Sequence, residues 1–216
     1  TEYTVPTSVT KIGDHAFSCS QNLIDIMIPL NVTSIDDCAF IHCIGLRKLT
    51  IPFGSAYYFH FGKCNCAKKI SADGEYVVFE WGETDAEATD VSIGRNVDSL
   101  KCIEYYFDIN YCPVGKIELE EGNKSFSLVD GVLYDKSVET LYLFPDGAFG
   151  DTYVMPDTVA RINDSYSFNG FNKLGSITLG KSFDFFDGEF ENYIEQYGEW
   201  YTYSYLIPDF LFLSPY

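Results

Sequence analysis

Three histidines, seven cysteines and 32 acidic residues are the groups of this 216-residue chain that could do chemistry. Histidine is the side chain that ordinarily changes charge near neutrality. His15 and His42 sit among apolar residues in segments that read as structural, and His60 lies in an aromatic run. For His15 and His42 these are the settings of packed or solvent-edge residues rather than of bases. A hydrolytic triad needs a nucleophile, a base and an orienting acid within mutual reach. The sequence contains no Gly-x-Ser-x-Gly elbow, no glycine-rich lysine loop and no His-Glu-x-x-His. The acids are too numerous for any one carboxylate pair to stand out as acid and base. The chain therefore reads as non-catalytic and without a cofactor.

The cysteines stand at 19, 38, 43, 64, 66, 102 and 112, an odd set that cannot pair completely within one chain. Cys19, Cys38 and Cys43 lie in apolar segments, where cysteine serves as a small hydrophobe. Mostly free, structural thiols are expected. Cys64-x-Cys66 is the one dense pair. A metal centre usually wants four N or S ligands as two spaced pairs, and no second pair stands near it. Asp184 to Glu191 offers oxygen ligands around Gly188, but not at the spacing of a helix–loop–helix calcium site. No metal is expected. Asn31-Val32-Thr33, Asn123-Lys124-Ser125 and Asn163-Asp164-Ser165 match the glycosylation acceptor pattern, which counts only in a secreted eukaryotic chain.

Charge removes two classes of partner. With 32 acids against 14 bases the net charge is −18. That is the wrong sign for nucleic-acid backbones and for anionic lipid. No apolar run is long enough to span a membrane, so no membrane insertion is expected. The chain opens Thr1-Glu2-Tyr3, with no Met and no apolar leader. Either a removed signal peptide or a cut from a longer chain fits that start.

The elements that must position any site repeat along the chain. Pro6, Pro29 and Pro52 recur every 23 residues. Val9 matches Val32, Ile12 matches Ile35, Ala16-Phe17 matches Ala39-Phe40, and Ile28 matches Ile51. A core motif of three spaced apolar residues recurs as Leu23-x-x-Ile26-x-Ile28 and Leu46-x-x-Leu49-x-Ile51. Looser copies are Ala88-x-x-Val91-x-Ile93, Val114-x-x-Ile117-x-Leu119 and Leu174-x-x-Ile177-x-Leu179. The closing alternation predicts a short strand with one buried face. Proline after the strand ends it, because it has no N–H for the ladder. Val9, Ile12, Ala16 and Phe17 are spaced like one face of a short helical turn. One strand and one return segment per repeat describe a leucine-rich repeat solenoid, each repeat covering its neighbour's apolar face.

Val5-Pro6-Thr7-Ser8-Val9-Thr10-Lys11-Ile12-Gly13-Asp14-His15-Ala16-Phe17 resembles the BspA-like leucine-rich repeat family. So does Ile28-Pro29-Leu30-Asn31-Val32-Thr33-Ser34-Ile35 with Ala39-Phe40 and Cys43. Asn123-Lys124-Ser125-Phe126 leading to Asp130-Gly131-Val132-Leu133-Tyr134 resembles the hairpin insertion of that family. The resemblance implies bacterial surface proteins associated with adhesion to host proteins or other cells. The expected fold is an α/β repeat solenoid with stacked short parallel strands, irregular return segments, a hairpin insertion and a C-terminal cap. Residues 1–180 would form the repeat domain, with insertions near 53–87 and 123–150. Residues 181–216 would form the aromatic, acidic cap or tail.

Two surfaces are candidates for binding. Alternate strand positions point away from the core and line up along the sheet as Thr4, Met27, Thr50, Ser92, Glu118, Val154 and Thr178. Beside them runs Asp25, Lys48, Asp90, Lys116 and Ser176. Small, mixed residues without an aromatic anchor suit a broad contact, and the resemblance implies a protein on a host or neighbouring cell as the partner. The alternative is a polysaccharide platform built from Trp200, Tyr201, Tyr203 and Tyr205 in the tail. Either reading places the chain outside the cell or on its surface.

Overall fold

The structure is a computed structural model that describes residues 1–36, 38–57, 66–82, 86–110, 112–146, 149–150, 152–163, 176–183 and 211–213. Two compact units divide the chain, Thr1–Lys124 and Ser125–Tyr216.

The first unit opens with β1 (Glu2–Thr4), β2 (Lys11–Ile12), β3 (Asp25–Met27), β4 (Ser34–Ile35), β5 (Lys48–Pro52) and β6 (Ala56–Tyr57). β1, β3 and β5 pair in parallel, with each residue opposite the one 23 places on, as in Tyr3, Ile26 and Leu49. β2, β4 and β6 form a second parallel ladder. Alternation sets which side chains go in. Ile26, Ile28, Leu49 and Ile51 are fully buried, whereas Met27 is exposed. After each strand the chain turns at the repeated proline. The N–H groups of Val9, Val32 and Ser55 donate to the carbonyls of Pro6, Pro29 and Pro52. The third strand takes Pro52 in as its last residue.

The return segments are turns, not helical turns as the apolar spacing predicts. His15, Cys19 and His42 hold φ at 57°, 58° and 60°, a left-handed conformation that no right-handed helix can include. What the spacing did capture is the stacking. The Phe17 and Phe40 rings lie parallel with centroids 5.3 Å apart. Phe17 N–H donates to Ala39 O, and the Cys43 thiol to Phe17 O.

β7 (Lys69–Ala72), β8 (Tyr76–Glu80), β9 (Thr89–Ile93), α1 (Lys101–Asn110) and β10 (Val114–Leu119) complete the unit. β8 pairs antiparallel with both β5 and β7, and β7 pairs parallel with β9. The seven-stranded sheet therefore runs β1-β3-β5-β8-β7-β9-β10. The hairpin of β7 and β8 is built into the sheet itself. Its turn uses Gly74 at φ 101°, and Asp73 Oδ1 accepts the N–H groups of Glu75 and Tyr76. α1 buries Ile103, Tyr106 and Phe107, and Ala67 N–H donates to the Tyr106 hydroxyl. Beside that contact Cys66 and Cys112 form a disulfide, with Cα atoms 5.5 Å apart. Mostly free thiols are what the sequence predicts. Cys19, Cys43 and Cys102 are indeed thiols, but this bond joins two cysteines 46 residues apart.

The second unit holds β11 (Phe126–Val129), β12 (Val132–Asp135), β13 (Thr140–Leu143), β14 (Thr152–Val154), β15 (Arg161–Ile162), β16 (Ser176–Thr178) and β17 (Leu211–Leu213). β11 and β12 are antiparallel through Asp130-Gly131, whose φ angles of 50° and 85° make a two-residue hairpin turn. β12 and β13 are antiparallel, β13 and β15 parallel, and β14, β16 and β17 parallel. The core gathers Tyr134, Leu141, Phe144, Tyr153, Met155 and Ile177. α1 is the single helix among the described residues. The described residues form a β-solenoid of the leucine-rich repeat kind with almost no helix, and the α of the expected α/β class rests on α1 alone.

Candidate functional site

Strand register decides which outward residues become neighbours. Thr4 stands opposite Met27, and Met27 opposite Thr50. Thr50 then faces Val78, Val78 faces Ser71, Ser71 faces Ser92, and Ser92 faces Glu118. One unbroken row of seven residues thus crosses the sheet, roughly 29 Å long at the usual strand spacing. Five of them, Thr4, Met27, Thr50, Ser92 and Glu118, are the residues expected from the repeat motif. Val78 and Ser71 are not, since the hairpin that carries them has no repeat motif. The strand-like alternation from Tyr76 to Trp81 was the one signal for Val78. Thr178 stands opposite Val154 and Leu213 in a separate sheet of the second unit.

The neighbouring row is charged. Glu2 faces Asp25, Asp25 faces Lys48, Lys48 faces Glu80, Glu80 faces Lys69, and Lys69 faces Asp90. Lys116 extends it, its N–H donating to Asp90 Oδ1 at 2.8 Å. From Asp25 onward the signs alternate along the ladder, the arrangement that favours cross-strand pairing. Asp25, Lys48, Asp90 and Lys116 were expected here, and Glu80 and Lys69 again come from the hairpin. A close approach makes the last step possible. A Cβ on Gly115 would lie 2.5 Å from Asp90 Oδ1.

The two rows meet where Lys116 Nζ reaches Glu118 Oε1 at 2.7 Å. That hydrogen bond, with the nearby charge of Lys69, holds the Glu118 carboxyl below its ordinary range and pulls the Lys116 ammonium above its own. Both side chains are exposed, so the pair orients more than it stabilises. The result is a nearly charge-balanced band on a chain of net charge −18. Met27, 41% exposed, is the large apolar side chain of the first row.

The remaining candidates fall elsewhere. His15 and His42 are exposed in the return turns. Asn123 is buried, and its Nδ2 donates to Gly94 O and Val97 O at 2.9 and 3.0 Å. Asn31 Nδ2 donates to Val9 O across one repeat. His60, Cys64, the Asp184–Glu191 run and the platform of Trp200, Tyr201, Tyr203 and Tyr205 lie outside the described residues. No helix among those described is long and apolar enough to cross a membrane.

Residues 1–78 match the family model for the BspA type leucine rich repeat region, in six copies. These residues are BspA-type leucine-rich repeats. The resemblance read from Val5–Phe17 and Ile28–Cys43 therefore holds, and the 23-residue register of these repeats is what aligns Thr4, Met27 and Thr50 in the outward row. No curated protein matches the chain. Among solved structures it is similar to a leucine-rich repeat protein from Eubacterium ventriosum ATCC 27560. That likeness has 22% identity and a TM-score of 0.56, and covers 84% of this chain and 48% of the other. It is also similar to a leucine rich cell surface protein from Faecalibacterium prausnitzii A2-165, at 21% identity and TM-score 0.49 over 85% of this chain and 55% of the other. The pneumococcal vaccine antigen PcpA matches at 21% identity and TM-score 0.32, over 85% and 34%. The chain thus spans about half the length of the first of these proteins, and the likeness is one of fold.

Proposed function

We propose that this chain is a non-catalytic binding module at a bacterial cell surface, contacting a protein ligand through the sheet face of its first unit. The observation that carries the reading is the unbroken row from Thr4 to Glu118 beside the alternating charge ladder. Such a face is long, shallow and nearly neutral. It suits a broad contact made of many weak terms, because neither row carries the Trp, Tyr or Arg anchor of a compact hot spot. The Cys66–Cys112 disulfide supports an oxidising, extracellular setting. In the same reading β11 to β13 are the hairpin insertion of a repeat domain over 1–180, and residues 181–216 are its cap.

The test is a titration of the whole chain against extracellular-matrix proteins and polysaccharides. The expected result is saturable binding to a protein, lost when Met27, Thr50 and Glu118 are all changed to Ala with the unfolding midpoint unmoved. Saturable glycan binding that Trp200→Ala or Tyr203→Ala removes would overturn it in favour of carbohydrate recognition by the tail. Silence across the panel would overturn both.

A further inference from the structure

We propose that Asp14, His15 and Cys38 form a site for a divalent transition cation, zinc, that bridges the first two repeats. The solenoid register brings the site together. His15 and Cys38 occupy the same position one repeat apart, as Phe17 and Phe40 do two residues further on. The stacking that lays Phe17 on Phe40 therefore sets Cys38 beside His15.

The ligand atoms of Asp14, His15 and Cys38 all lie within 4.8 Å of one another. Tetrahedral zinc holds N, O and S donors at roughly 2.0–2.3 Å, which puts neighbouring donors about 3.4–3.6 Å apart. His15 Nδ1 and Asp14 Oδ1 already stand 2.9 Å apart. A cation between them takes the Nδ1 lone pair, with the ring proton carried on Nε2. Bringing in the Cys38 sulfur needs a movement of about 1 Å, and the His15 and Asp14 side chains, 57% and 60% exposed, are free to make it.

The backbone beneath the site is fixed. Ala16 N–H donates to Gly13 O and Ser18 N–H to His15 O, so hydrogen-bonded turns bracket His15 in its left-handed conformation. The donor chemistry selects the metal. One thiolate and one imidazole favour zinc over calcium or magnesium. Binding releases the Cys38 proton to solvent, and the two anionic ligands then neutralise the dication. A cation across Asp14, His15 and Cys38 clamps the first repeat to the second, and its binding energy adds to folding stability.

The experiment uses the whole chain, titrated with zinc against a chromophoric chelator and, in parallel, with cobalt(II) as a spectroscopic probe. Wild type is expected to bind one zinc ion at micromolar concentration or below and to show a thiolate-to-cobalt charge-transfer band. His15→Asn keeps a residue that tolerates the left-handed backbone, and Cys38→Ser removes the sulfur. Each is expected to weaken zinc by about tenfold or more, with Cys19→Ser as a neutral control. Zinc should raise the unfolding midpoint of wild type and leave that of His15→Asn unmoved, which separates ligation from misfolding. Absence of binding at micromolar zinc, or an affinity that survives either substitution, overturns the site.

Discussion

The hydroxyls of Tyr134 and Tyr153 hydrogen-bond to each other inside the second unit. Burial pushes both phenols above their ordinary range, and the Tyr153 neighbour raises Tyr134 further. Tyr134 is fully buried and Tyr153 is 5% exposed. Tyr153→Phe should therefore cost about 1–3 kcal/mol by stranding the Tyr134 hydroxyl, and the double change to Phe should cost less than the two single changes added together. Denaturant unfolding of the three variants checks this. The sign with pH follows. A phenol whose pKa is raised on folding contributes stability that is complete below about pH 10 and lost as pH climbs through the folded value. Alkaline destabilisation should shrink in the double variant.

The Cys66–Cys112 bond closes a loop across 46 residues. In the chain-entropy account a loop of that length is worth about 4 kcal/mol. Reducing agent should lower the unfolding free energy of the first unit by that order. An unchanged denaturation midpoint under reduction would show that the bond constrains nothing the fold does not already hold.

Gly45 and Gly13 should respond oppositely to one added methyl. A Cβ at Gly45 would fall 2.1 Å from the carbonyl oxygen of Gln21, a backbone atom of the preceding repeat. At Gly13 nothing lies within 4 Å. Gly45→Ala should destabilise by several times the ~1 kcal/mol of an average substitution, and Gly13→Ala should be neutral or stabilise by up to about 1 kcal/mol. Thermal unfolding of the two variants decides it.

Asp135 accepts the N–H groups of Glu139 and Thr140 on Oδ1 and the Ser137 hydroxyl on Oδ2. Burial pushes its carboxyl up, but these hydrogen bonds prevail and hold it below the ordinary range. A depressed carboxylate contributes stability that is present above about pH 4 and lost as pH falls through the folded value. Asp135→Asn should weaken the turn between β12 and β13 at neutral pH and flatten the acid limb of the stability curve. A variant with the wild-type acid limb would remove Asp135 from the account.

How much of this was legible beforehand depended on repetition. Pro6, Pro29 and Pro52 announce the 23-residue register, and from it Thr4, Met27 and Thr50 follow as one column. Ile26 and Leu49 follow as core for the same reason. Where a segment does not repeat, register has no sequence signal. Lys69–Glu80 enters the sheet as a hairpin whose second strand alone runs antiparallel to its neighbours, so Val78, Ser71, Glu80 and Lys69 join the rows without resembling their neighbours. The Cys66–Cys112 bond was hidden because α1 stands between them in sequence. His15 and Cys38 sat in one column throughout, but as different residue types they did not look like a pair.

The strand partners of the sheet are separated by 23 residues at Met27 and Thr50 but by 26 at Ser92 and Glu118. In the second unit Val154 and Thr178 are 24 apart. The outward columns stay aligned although the arcs joining them differ in length. One residue of the difference is absorbed within β10, where the register shifts between Val114 and Ile117, and the rest falls in the arcs between the strands. Arc length is the variable part. A lineage, or an engineer, can lengthen or trim those arcs, or splice a foreign peptide into one, while the outward columns keep their spacing.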